Sequence, residues 1–101
     1  MSPRPARLAP HQLCVGWPDS PSDDNSAEVA RRFALNVRAE MGGRSIREFA
    51  RDTGLDRATI TGIVNGGTWA DLQSIARLEL VVGKTLWPSF AGRAKQGSFE
   101  R

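Results

Sequence analysis

The chain has one cysteine, one histidine and no long apolar run, and each scarcity closes off a class of function. A single thiol, Cys14, cannot form an internal disulfide, which suits a reducing cytoplasm. His11 and Cys14 lie three residues apart. Two such ligands do not complete a four-ligand metal site, and no Ser-His-Asp set can be assembled around His11. Gly66-Gly67 reads as a helix stop, because P-loop and dinucleotide fingerprints need more glycines at fixed places beside a strand. Asp23-Asp24 and the pair Glu48 and Asp52 read as caps and surface charge. The sequence therefore points away from an enzyme, with no cofactor and no metal expected. The most apolar stretch, Leu78 to Val82, is interrupted by Glu79 and is too short to cross a bilayer, so no membrane is expected as a partner. Residues 1–25 are broken by prolines and lack a continuous apolar run, so no secretory signal is expected there.

What is present fits one small domain. The chain has 101 residues, a formal charge of +3 and a pI near 10.0, a balance that suits an anionic partner without requiring one. Prolines at 3, 5, 10, 18 and 21 and the run SPSDDNS mark residues 1–24 as a separate zone. It reads as a flexible arm, because such a composition buries too little apolar surface to offset its ordering entropy. Arg4 and Arg7 could touch a phosphate or a minor groove, or simply sit in a solvated tail. Trp17 is out of place in a tail. Residues 25–90 read as the folded domain, and residues 91–101, with the end GRAKQGSFER, as a flexible basic tail.

Within the domain the spacing predicts helices and no strands. The first begins near Asn25, where Asn25 and Glu28 suggest a capping box. Its apolar face runs through Val29, Phe33, Val37 and Met41, and Gly42-Gly43 stops it. Ser45 and Glu48 form a second S-x-x-E box, and Phe49 and Ala50 face inward. Gly54 permits the left-handed backbone of a tight turn, Leu55 plugs the corner, and Asp56 caps a third helix. Ile60, Ile63 and Val64 form the inner stripe of that helix. Thr68 is expected to cap a fourth helix, with Asp71 at its third position. Burial there should run through Leu72, Ile75, Ala76, Leu78 and Val82. Leu86 and Trp87 supply apolar bulk before Pro88.

The stretch SIREFARDTGLDRATITGIVNG outlines two short helices joined by a glycine turn. Small Ala50 lets the two helices approach, and the isoleucines anchor the third helix from beneath. That helix then presents Arg57, Ala58, Thr59, Thr61 and Gly62 outward. A B-DNA major groove about 12 Å wide accepts such a helix. Phosphate contacts are expected from Arg44, Arg47 and Arg51, and from free amides at the starts of the second and fourth helices, the latter at Thr68.

The ordered set S-I-R-E-F-A, T-G-L-D-R-A-T-I-T-G-I-V-N-G, T-W-A-D-L-Q-S-I-A-R-L and L-W-P resembles the Xre/Cro group of phage and bacterial repressors. The resemblance runs from about Ser45 to Pro88. It implies an all-α, lambda-repressor-like domain of four to five helices that binds double-stranded DNA, often as a homodimer on a near-palindromic operator. It places the main base readers at Arg57 and Ala58, with Gly62 at a later reading position and Thr59 and Thr61 between. Asn65 matches a phosphate-contacting position, as do the amides of Ile46 and Arg47, with Arg44 nearby. The chain departs from the family in three places. Ile46 stands where glutamine is common, Asp56 replaces serine or threonine, and Val64 replaces a frequent glutamate. Gly62 has no side chain to read a base and Ala58 could only touch a thymine methyl. Arg57 is thus the strongest direct reader, through guanine O6 and N7. The expected function is a Cro/phage-repressor-type transcriptional repressor acting by operator occupancy. Its expected location is cytoplasmic, nucleoid-associated in a bacterial or phage-infected cell. The alternative is an antitoxin-like regulator, or a helical interaction module, that binds a protein partner.

Overall fold

In the computed structural model every α-helix starts at a side-chain cap and stops at a glycine. The structure describes residues 7–88. Helix α1 is Asn25–Met41, α2 Ile46–Thr53, α3 Arg57–Asn65 and α4 Leu72–Val82. Asp24, Ser45, Asp56 and Asp71 are the N-caps, and Gly42, Gly54, Gly66 and Gly83 the C-caps. Each cap oxygen accepts from an amide of the first turn, which would otherwise lack an intrahelical partner. No strand occurs among the described residues, and the architecture is all-α as expected.

Two caps differ from the sequence reading. Asp24, not Asn25, caps α1, accepting from the Ala27 amide at 2.8 Å. Glu28 is buried instead of closing a capping box. Asp71, not Thr68, caps α4, accepting from the Ser74 amide at 2.7 Å. The chain from Gly66 to Ala70 is consequently a loop, and α4 starts later than expected. In both places an aspartate competes with the predicted cap, and either residue type is suited to the role.

The core gathers Phe33 and Val37 of α1, Phe49 and Ala50 of α2, and Ile60, Ile63 and Val64 of α3. Ile75 and Leu78 of α4 and Leu86 beyond it complete the cluster. Leu86 is held in place by polar bonds. The Glu79 carboxylate accepts from the amides of Leu86 and Trp87, both at 2.8 Å. Asn36 donates to the Leu86 carbonyl at 2.7 Å. Trp87 lies against Phe33, with ring centroids 5.2 Å apart. Helix α4 departs from its expected pattern. Ser74, Ile75 and Leu78 are buried, whereas Leu72 is 85% exposed, Leu80 75% exposed, and Ala76 exposed. Only the Ser74–Ile75–Leu78 side of α4 faces the core and meets α2, so the Leu72–Ala76–Leu80 side has nothing to cover it.

The largest departure lies before α1. From Arg7 to Asp24 the chain is a packed strap, unlike the flexible arm expected for residues 1–24. A short 3-10 helix, Pro10–Leu13, lies against α1, and Pro10, Cys14 and Pro18 are buried. Polar anchors tie the strap down. Glu28 accepts from the Ser22 amide at 2.8 Å and from Arg31 and Arg32. Arg31 in turn donates to the Pro18 carbonyl at 3.0 Å. The Ser22 hydroxyl donates to the Leu13 carbonyl, and the Cys14 thiol lies 3.1 Å from the Ser20 carbonyl. Burial pushes the Cys14 thiol above its ordinary pKa, so it has little thiolate character. The Arg31 guanidinium, hydrogen-bonded to Glu28, overcomes the cost of burial and holds the carboxyl down to about 2. Residues 1–6, including Arg4, and the expected tail at 91–101 lie outside the described residues.

Candidate nucleic-acid interface

The corner between α2 and α3 is built from local signals. Ser45 accepts from the Glu48 amide at 3.1 Å, and Glu48 accepts from the Ser45 amide at 2.8 Å, so the reciprocal box closes as the sequence predicts. Phe49 and Ala50 then point into the core. At the turn Gly54 has φ 81°, a left-handed conformation that costs a residue with a Cβ. Thr53 is buried and adds a bond that the spacing does not reveal. Its hydroxyl donates to the Phe49 carbonyl at 2.9 Å and accepts from the Leu55 amide at 3.3 Å. Asp56 accepts from the Thr59 amide at 2.8 Å. Hydrogen bonding to Thr59, through side chain and then backbone, holds the Asp56 carboxyl below its ordinary pKa.

With Ile60, Ile63 and Val64 buried, α3 turns its opposite side to solvent. Arg57, Ala58 and Thr61 are exposed, and no part of the described chain covers them. Thr59 is half-buried beside its cap. Gly62 is placed differently from the expectation of an open reading position. Its carbonyl accepts from the amides of Gly67 and Thr68. A Cβ at Gly62 would meet the Thr68 hydroxyl, so glycine is there to let the following loop fold against the helix. Gly62 and Thr68 therefore sit together, while Asn65 is exposed at the end of the helix.

The expected phosphate-contacting residues fall into two groups. Arg47 and Arg51 on α2 are exposed. Arg47 has no ion-pair partner among the described residues, and Arg51 approaches Asp52 only at 3.8 Å. Arg44, by contrast, is already engaged. It pairs with Asp52 at 2.9 Å, donates to the carbonyls of Glu40 and Met41, and stacks 4.9 Å from the centre of the Phe49 ring. Its geometry is that of a side chain satisfying the last carbonyls of α1. Ile46 is half-buried and packs against the core, leaving its amide as the group available at the start of α2.

The far end of α3, beyond its Gly66 cap, is also held by residues of the segment whose composition reads as an arm. The Trp17 indole donates to the Val64 carbonyl at 3.1 Å, and Arg38 donates to the same carbonyl at 3.2 Å. The His11 amide donates to the Gly66 carbonyl at 2.9 Å. Gly66 has φ 72°, and a Cβ there would lie 2.6 Å from the Trp17 ring and 2.9 Å from the His11 Cβ. The one sequence signal for this clamp was a tryptophan in an otherwise polar, proline-rich segment. Trp69 follows the same logic, donating to the Leu8 carbonyl at 2.9 Å.

No helix is long and apolar enough to cross a membrane among the described residues. Residues 35–86, just over half of the chain, match the family model described as Helix-turn-helix. No curated protein and no solved structure matches the chain.

Proposed function

Because the chain belongs to the helix-turn-helix family of Xre/Cro type, a family of DNA-binding regulators, we propose that it is a sequence-specific repressor acting by operator occupancy. The observation that carries this reading is the outer side of α3. Arg57, Ala58 and Thr61 are solvent-facing on a helix whose inner side is tied down by Ile60, Ile63 and Val64. In this reading α3 enters the major groove and Arg57 bonds a guanine edge. The α2 residues Arg47 and Arg51, the Ile46 amide, Asn65 and Thr68 meet phosphates, with Arg44 held back by its internal bonds. Binding at the operator then blocks polymerase in the cytoplasm.

A homodimer completes the proposal. The exposed residues Leu72, Ala76 and Leu80 recur every fourth position along α4, and the pattern reads the same in both directions about Ala76. A two-fold axis there sets Leu72 of one copy against Leu80 of the other, with the small alanines at the crossing. The groove beside this stripe carries Asp56, Asp71 and Arg77, charges of both signs that a second copy can complement. The same stripe favours the alternative reading of a protein partner.

Selection of bound duplexes from random sequence at two salt concentrations tests the function. Enrichment of a two-fold site is expected, with Arg57→Ala weakening the selected site more than random duplex and Arg47→Ala weakening both alike. Equal losses on all sequences in both variants would remove Arg57 as a base reader. Sedimentation tests the dimer. Leu80→Lys should leave a monomer where the natural chain associates.

A further inference from the structure

We propose that the strap extends the DNA interface beyond the helix-turn-helix unit, with the Arg7 guanidinium meeting a phosphate of the duplex backbone. The inference rests on the DNA-binding reading above. The family match begins at residue 35, so the strap is an element added to the matched unit.

The strap ends beside the reading face. His11 and Trp17 bind the carbonyls at the end of α3, and Trp69, in the loop after α3, holds the Leu8 carbonyl. These bonds fix where the chain next to Leu8 goes. Arg7 stands over the Trp69 ring, its guanidinium carbon 5.9 Å from the ring centre, the outer range of a cation–π contact. Trp69 itself lines a shallow groove with Ala58, Thr59 and Thr68. Ala58 belongs to the outer side of α3, Thr59 lies half-buried next to it, and Thr68 belongs to the proposed phosphate set. One indole thus lines the groove beside the reading face and carries the strap's cation.

The groove also carries the carboxylates of Asp56 and Asp71, so the attraction for phosphate rests on Arg7 itself. Arg7 is exposed and has no carboxylate partner among the described residues. Stacking on an indole restricts the guanidinium while leaving its edge N–H groups free for paired bonds to phosphate oxygens. A side chain restricted before binding loses less freedom on binding. The strap is in turn locked to the domain by Glu28 and Arg31 through Ser22 and Pro18, so Arg7 is carried by a folded element.

Fluorescence anisotropy with a mixed-sequence duplex of about 25 base pairs, titrated between roughly 50 and 200 mM salt, tests the assignment. A mixed sequence is sufficient because a phosphate contact acts on every sequence. Arg7→Ala should weaken binding by roughly three- to tenfold at the lower salt and reduce the slope of log K against log salt by about 0.9. Arg7→Lys, which keeps the charge, should restore most of the slope. An Arg7→Ala slope equal to that of the natural chain overturns the proposal, even if affinity falls, because Arg7 would then act only by packing on Trp69. A lysine variant as shallow as the alanine variant overturns it too. Neither result would touch the reading of α3. Failure of the natural chain to bind any duplex would overturn both.

Discussion

The two ends of α3 are held by different kinds of chemistry. At its start, Ser45, Gly54 and Asp56 act within a few residues of themselves, through caps and one left-handed turn. At its end, Trp17 and His11 reach Val64 and Gly66 across 47 and 55 residues of chain. The first arrangement is carried by a short motif and works almost regardless of what surrounds it. The second exists only when the strap is docked, and the docking depends on the Glu28 cluster. One end of the proposed recognition helix is therefore held by local bonds alone, while the other adds bonds from distant chain to its own glycine cap.

The largest effect should come from cutting the strap's anchor. Glu28 is buried and serves Ser22, Arg31 and Arg32 together. Glu28→Gln leaves Arg31 without its charged partner and should cost about 3–5 kcal/mol, read from urea midpoints at neutral pH. The same carboxyl sets a pH window. Its folded pKa of about 2 lies below its ordinary value of 4.5. Its contribution is thus complete above about pH 4.5 and is lost as pH falls toward 2. The natural chain and Glu28→Gln should therefore converge over that window. A gap that stayed constant with pH would mean that the ionised carboxylate is not what holds the strap.

Two glycines separate local from long-range placement more finely. Gly54 and Gly66 both have positive φ, at 81° and 72°. A Cβ on Gly54 meets nothing within 4 Å, whereas on Gly66 it runs into Trp17 and His11. Gly54→Ala should cost only the left-handed backbone penalty, about 1–2 kcal/mol. Gly66→Ala should cost that and the displacement of the strap, about 2–4 kcal/mol together. The comparison is sharpened by adding Glu28→Gln to each. With the strap already loosened, the cost of Gly66→Ala should shrink toward that of Gly54→Ala, which should not change.

The same division explains what could be read from the sequence. Ser45, Glu48, Gly54, Asp56 and the stripe Ile60, Ile63, Val64 carry their roles in spacing alone, so the corner and the exposed side of α3 were readable. Composition misled for residues 7–24. Prolines and polar residues there suggested an arm, but the strap docks through Pro10, Cys14 and Pro18 and through backbone carbonyls, none of which makes an apolar period. Glu28 looked like a capping residue because an acid three positions from Asn25 fits a box, and its burial depends on Arg31 and Ser22 turning toward it. Leu72 and Ala76 looked like core because helical spacing marks a stripe without saying how many neighbours exist to cover it. Gly62 looked open because nothing local shows that Thr68 folds back over it.

The smallest change isolates the clamp from the fold. Trp17→Phe keeps an aromatic ring beside Gly66 but removes the indole donor to the Val64 carbonyl. Arg38 still donates to that oxygen at 3.2 Å, so the carbonyl is not left bare. The loss should be about 1 kcal/mol, the usual net value of one such bond. Its location matters more than its size. Amides at the end of α3 and in the following loop should exchange faster, while those at the capped start of α2 and α3 keep the protection of the natural chain. Uniform acceleration along both helices would instead mean that the corner and the clamp open as one cooperative unit, and that α3 does not have two independently held ends.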